Sequence, residues 1–192
     1  MKNGMKFSTT IYLSAGASAL LVLLTSAVIY FNVQGMMKTQ KWVSHTDAVI
    51  GQFNRVVSLM VDMETGERGF LMSGEKKFLE PYNAAVAGFD DYVKELQKTV
   101  SDNPTQVARL AKVMELKKSW LEQSSVEEMK AREAYDAGRM NRADFEALLK
   151  VGKGKQFMDQ IRSEINAAIK MEEDLNLVRR DENENSGQAT TA

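Results

Sequence analysis

The sequence predicts an all-α protein: an N-terminal transmembrane helix followed by an antiparallel four-helix bundle with long first and last helices. Three observations predict it. Only 2 of the 192 residues are proline, too few for the turns of a β-sandwich or a doubly wound sheet of this length. No charged residue occurs from Phe7 to Met37. Beyond Lys38 the apolar residues recur in alternating steps of four and three, the period of packed helices.

The run from Ile11 to Val33 is nearly all apolar or small. Twenty residues at about 1.5 Å each cross the roughly 30 Å hydrocarbon core of a bilayer. Tyr12, Tyr30 and Phe31 stand near its two ends, where amphipathic rings settle. Lys2 and Lys6 precede the run, so the positive-inside rule places the N-terminus in the cytoplasm and everything after Lys38 outside. The alternative is a signal peptide cut after a small residue such as Ala27, but the stretch exceeds an ordinary h-region and no A-x-A site closes it. Ser14, Gly16, Ser18 and Ala19 form a small-residue patch on which two copies could approach. The chain accordingly divides into a cytoplasmic stub and span (1–37), an exported bundle (38–182) and a polar tail (183–192) leading towards a second span that the chain does not contain.

Residues 38–192 carry all 26 acidic side chains and all but two of the 25 basic ones, mixed in sign as on a solvated surface. The first seam runs through Trp42, Val49, Phe53, Val56, Met60, Met63 and Phe70, with Thr46 and Glu67 in the same register. The second holds Phe78, Tyr82, Ala85, Phe89, Tyr92 and Leu96. A third can be drawn through Val107, Leu110, Met114 and Leu121, with Lys117 inside it. The last takes Met158, Ile161, Ile165, Ala168 and Leu175, with Glu172 between. Punctuation agrees: Gly74 suits a left-handed cap closing the first helix, and Pro81 is tolerable only in the first turn of the second. Asn103-Pro104 caps and opens the third, Gly138 ends it, and Asn141 caps a further segment with Asp144 in its first turn. Gly152 and Gly154 interrupt that segment before the final helix. The first helix continues unbroken from the span, and antiparallel packing returns the C-terminus to the membrane.

The residue inventory excludes most chemistry. With no cysteine there is no disulfide framework, thiolate site or cysteine nucleophile. One histidine, His45, leaves no triad and no Glu-x-x-His di-metal set, and His/Met haem ligation by His45 is a remote alternative because methionines at seam spacing are gap-filling core. His45 itself reads as a surface or interfacial side chain beside the membrane. A formal net charge of −1 offers nothing to displace phosphate counterions, so no nucleic acid is expected. Gly152-Lys153-Gly154-Lys155 lacks the spacing and the preceding strand of a phosphate loop. The expectation is a non-enzyme with no cofactor and no metal site.

One segment asks for explanation, Asp62-Met-Glu-Thr-Gly-Glu-Arg-Gly-Phe-Leu-Met-Ser-Gly74, followed by Phe78-Leu-Glu-Pro-Tyr82. Two glycines inside a helix cost about 1 kcal/mol each relative to alanine, and Glu64, Glu67 and Arg68 sit among hydrophobic neighbours. Glycine lets a neighbouring backbone or aromatic ring come close, and arginine can satisfy carboxylates or carbonyls in two-pronged geometry.

These residues, together with Gly152-Lys-Gly-Lys-Gln-Phe-Met-Asp-Gln-Ile-Arg162 far downstream, resemble the extracytoplasmic sensory domain of the third CHASE type. Phe70 stands where that pattern takes an aromatic, often tyrosine. The resemblance implies a helical bundle between two membrane helices at the front of a bacterial methyl-accepting chemotaxis receptor, a sensor histidine kinase or a cyclic-nucleotide signalling protein. It implies an inner-membrane protein with a periplasmic bundle and an unknown small-molecule or protein signal, and a homodimer is expected. The expectation is a chemotaxis receptor that relays its stimulus by helix displacement. The sensor domain of a histidine kinase or of a cyclic-nucleotide signalling protein, and a ligand-free periplasmic interaction or spacer protein, are the alternatives.

Candidate signalling residues are Glu64, Gly66, Glu67, Arg68, Gly69 and Phe70, with a second motif of Gly152, Lys153, Gly154, Lys155, Met158, Asp159 and Arg162. Arg68 either bridges Glu64 one turn back or is presented to an anionic ligand. The second motif reads as a helix interruption with solvated lysines, opposite part of the first. Glu67 and Glu172, costly to bury alone, are expected to pair with Arg68 or Lys170 or to face a wet dimer interface.

Overall fold

The computed structural model describes residues 3–189. Lys2, the side chain of Lys6 and residues 190–192 of the expected tail lie outside the described residues. The elements are α1 (Asn3–Ser73), a 3₁₀ turn (Lys76–Phe78), α2 (Leu79–Thr99), α3 (Pro104–Trp120), a π-helical turn (Leu121–Ser125), α4 (Val126–Asp136), α5 (Arg142–Lys150) and α6 (Lys153–Ala189). No strand occurs among the described residues, and the fold is an all-helical bundle with an N-terminal candidate membrane helix. The chain divides into two compact units, one of residues 46–175 and one built from its two ends.

In the terminal unit, the apolar side chains of α1 from Ile11 through Val33 are exposed, Leu23 at 67% and Phe31 at 70%. This stretch is long and apolar enough to cross a membrane. Trp42, assigned to the first seam by spacing, is 39% exposed and meets His45 edge to face, ring centroids 6.0 Å apart.

In unit 46–175 the first seam is buried from Thr46 through Val49, Phe53, Val56, Met60, Met63, Glu67 and Phe70, as the spacing requires. It packs on Tyr82, Ala85, Phe89 and Leu96 of α2 and on Met158, Ile161, Ile165 and Ala168 of α6. Each fully buried aliphatic or aromatic side chain here contributes roughly 1.5–3 kcal/mol. On α2, Val93 rather than Tyr92 takes the inner place, and Phe78, in the 3₁₀ turn before the helix, is 40% exposed.

The third seam keeps Leu110 and Lys117 from the spacing-based register and differs from it by one residue at the other places. Gln106, Leu110, Val113, Lys117 and Trp120 face inward, and Val107, Met114 and Leu121 lie at its margin. The reason is polar. Gln106 is buried because its Nε2 donates to Ala168 O at 3.0 Å and to Glu172 Oε1 at 3.1 Å. Lys117 lies over the Phe89 ring and reaches Asp90 Oδ1 at 3.1 Å, its stem in the core and its charge outside. The π turn then adds a residue to the helix and brings Ser124 and Ser125 inside.

The caps follow the punctuation. Gly74 has φ 75° and its N–H closes on Phe70 O at 2.7 Å, the left-handed stop that glycine adopts without penalty. Asn103 Oδ1 accepts from Gln106 N and Asn141 Oδ1 from Asp144 N. Pro81 lies in the first turn of α2. At the last turn of α1, a smaller core of Leu71, Ala131 and Phe145 is covered by Tyr135 and the α5 leucines.

Candidate functional site

The glycines of the first motif are explained by packing. A Cβ at residue 66 would lie 2.8 Å from Phe78 O and 2.9 Å from Tyr82 Cβ, and one at residue 69 would lie 2.7 Å from the Phe78 ring. The missing side chains therefore let the 3₁₀ turn and the start of α2 seat directly on α1. Phe70, 2% exposed, belongs to the core. Gly66, Gly69 and Phe70 thus build the end of the bundle.

The charged residues of the same motif line a cavity. A cleft of about 520 Å³ opens where α1 ends, walled by Glu64, Glu67, Arg68, Leu71 and Met72, by Trp120 and Glu128, by Leu149, and by Gly152, Gly154, Lys155, Met158 and Arg162 of the second motif. The two sequence motifs meet here. Gly154 has the same use as Gly66: a Cβ there would lie 2.9 Å from Ser124 Oγ and 3.4 Å from Trp120 Nε1. Gly152, at φ 68°, makes the corner between α5 and α6. Lys153 is exposed and off the cleft, and Asp159, also exposed, holds Lys155 on its own helix.

Across the cleft, Arg162 Nη2 donates to Glu64 Oε2 at 2.7 Å. Arg68 Nη1 stands 3.9 Å from Glu64 Oε1, its side chain 72% exposed. Arg68 therefore bridges one turn back and leaves Glu67 alone. Lys170 pairs with Asp174 and Glu172 accepts from Gln106. The expected pairings of Glu67 and Glu172 with Arg68 and Lys170 are thereby corrected: α1 and α6 point those carboxylates into the bundle, away from the solvated bases one or two residues distant.

Glu67 is 4% exposed, and its Oε1 has no hydrogen-bond partner among the described residues. Burial, with the neighbouring Glu128 carboxylate second, pushes its pKa up to about 8; a hydrogen bond from Ser125 opposes this and Glu64 adds to it. Ser125 Oγ is shared with Tyr82 Oη at 3.0 Å, and Ser124 Oγ donates to Glu128 Oε1. The π turn places both serines there. π-Helical turns concentrate at functional sites because the extra residue re-aims side chains, and this one escapes a reading based on seams alone. The adjacent serines that follow Leu121, where the third apolar seam stops, are its only trace in the sequence.

The other missed residue is Arg132, its side chain 13% exposed. Its Nη1 donates to Leu71 O at 3.0 Å and Met72 O at 3.4 Å, and its Nη2 pairs with Asp136 at 2.8 Å. Arg132 on α4, through space, satisfies the carbonyl end of α1.

Similarity to known proteins agrees with this architecture. No curated protein matches the chain. The crystal structure of the Rhodopseudomonas palustris histidine kinase HK9 sensor domain superposes with a TM-score of 0.52 at 18% identity, over 68% of this chain and 98% of that one, a likeness of fold. The CHASE3 domain model matches residues 39–183, most of the chain, and the protein belongs to the CHASE3 domain family of extracytoplasmic sensory domains.

Proposed function

We propose that the chain is the periplasmic signal-sensing module of a bacterial inner-membrane receptor, N-terminus in the cytoplasm, acting as a homodimer and without catalysis. The observation that carries this reading is the meeting of two distant motifs of a CHASE3 bundle at one cleft. An occupant touching α1 and α6 together can favour one packing of those helices over another only by binding the two packings unequally. The displacement then passes along stiff helices, α1 carrying the candidate span.

For the output, a methyl-accepting chemotaxis protein is the first reading. A histidine kinase is the second, and the likeness to the HK9 sensor domain of a histidine kinase favours it. Alkaline phosphatase fused after residue 182 should be active and a green fluorescent protein at the same point dark; the reverse pattern overturns the orientation. The encoding gene beyond codon 192 decides the rest. About 20 apolar codons followed by a methylated coiled coil or by an ATP-binding kinase supports one output or the other, and an immediate stop codon leaves the spacer protein.

A further inference from the structure

The bases and acids of the cleft are unequally matched. Arg162 has Glu64 and Lys155 has Asp159. The inner carboxyls of Glu67 and Glu128 form no ion pair among the described residues, and Glu67 Oε1, removed from water, has no donor. Such a group is expensive to leave bare. The protein on its own relieves the cost by keeping Glu67 protonated, since burial raises its pKa to about 8. An entering ligand can relieve it more completely by supplying a positive charge and N–H donors together. Trp120, 1% exposed, stands on the same wall with its indole Nε1 edge nearest Gly154, and it helps to close the carboxyls off from bulk water. A cleft of about 520 Å³ has the size of an ordinary small-molecule pocket.

We propose that the cleft binds a small organic ammonium ion, its N–H groups seated on Glu67 and Glu128 beside Trp120. This rests on the sensor reading and names the ligand class of that site. Binding is an exchange: the Glu67 carboxylic acid gives its proton to solvent, and the resulting carboxylate accepts from the ammonium. The groups facing Glu67 are Glu64 on its own helix, Glu128 on α4, Ser125 and Tyr82, and, across the cleft on α6, Lys155 and Arg162 with carboxylate partners of their own. Arg68, exposed and only 3.9 Å from Glu64, is placed to take a carboxylate if the ligand carries one. Free amines and amino acids share the ammonium, and the test separates them.

Titration calorimetry on the full chain in detergent would use butylamine, leucine and butyrate. Butylamine, leucine or both should bind with release of about one proton, seen as a difference between two buffers of unlike ionisation enthalpy. Affinity should rise by up to ~tenfold per pH unit from pH 6 towards 8. Leucine tighter than butylamine assigns the Arg68 end; equal affinities assign a simple amine. Glu67→Gln should weaken binding at least ~tenfold and remove the proton release, with circular dichroism showing the helix content retained. Glu128→Gln, judged by the same weakening, carries the test if Glu67→Gln does not fold. Binding of butyrate alone, binding unchanged in the folded variants, or no binding by any probe overturns the proposal. None of these outcomes touches membrane orientation or the gene beyond codon 192, by which the sensor reading stands or falls.

Discussion

Arg162 Nη2 lies 2.7 Å from Glu64 Oε2, joining α6 to α1 across 98 residues of sequence. Two helices that would otherwise touch through apolar side chains are here held by a charge pair at the mouth of a cleft. A ligand group competing for either partner would alter how they are held. The side chains are 42% and 23% exposed, so solvent screens the pair, and a double-mutant cycle of Glu64→Gln and Arg162→Ala should return a coupling of about 0.5–1 kcal/mol in urea unfolding. A coupling indistinguishable from zero would mean the pair does not bind the helices together.

Gly66→Ala and Gly88→Ala should move stability in opposite directions. Both glycines sit within helices, where alanine is intrinsically better by about 1 kcal/mol. At residue 88 nothing lies within 4 Å of an added Cβ, so the gain is realised. At residue 66 the Cβ meets Phe78 O and Tyr82 Cβ at 2.8 and 2.9 Å, and backbone cannot step aside cheaply, so a net loss of about 1–3 kcal/mol is expected. Thermal unfolding midpoints read both, and an upward shift for Gly66→Ala would refute the close seating of α2 on α1.

Glu67 makes stability depend on pH. The folded protein keeps its proton up to about pH 8, while the unfolded chain releases it near 4.5. Between these values the folded state binds more protons, so stability falls as pH rises, by up to about 1.4 kcal/mol per unit. The contribution is fully present below pH 4.5 and lost above 8. Urea midpoints at pH 5, 6.5 and 8 should therefore decline for the native sequence and decline less for Glu67→Gln. Parallel declines would place the titration elsewhere.

Much of this was legible in the sequence, for reasons that vary by element. The seam from Thr46 to Phe70 is regular and, apart from Thr46 and Glu67, apolar, and the structure buries it as written. Gly66 and Gly69 announced a close approach by the absence of a side chain. The third seam misled because its inner positions include Gln106, a polar residue buried only through partners on another helix, Ala168 and Glu172. Spacing carries no record of those partners. The π turn and Arg132 were illegible for a similar cause. A helix gains one residue in a turn, or an arginine caps a distant helix end, without changing local periodicity.

Arg132 supports the final prediction. It donates to the Leu71 and Met72 carbonyls, pairs with Asp136, and lies 5.4 and 5.9 Å from the Tyr135 and Phe145 ring centroids. Arg132→Ala removes the donors from the C-terminal carbonyls of α1 and should cost about 1–3 kcal/mol. Arg132→Lys restores charge without the planar fork and should recover only part of it. Because the Leu71, Ala131 and Phe145 cluster is separate from the main core, the damage should be local. Hydrogen exchange in Arg132→Ala should rise in the last turn of α1 and in α4 and α5, and remain slow around Phe53, Phe89 and Ile161. Uniform acceleration across the bundle would show that the two clusters unfold as one and that Arg132 braces the whole of residues 46–175.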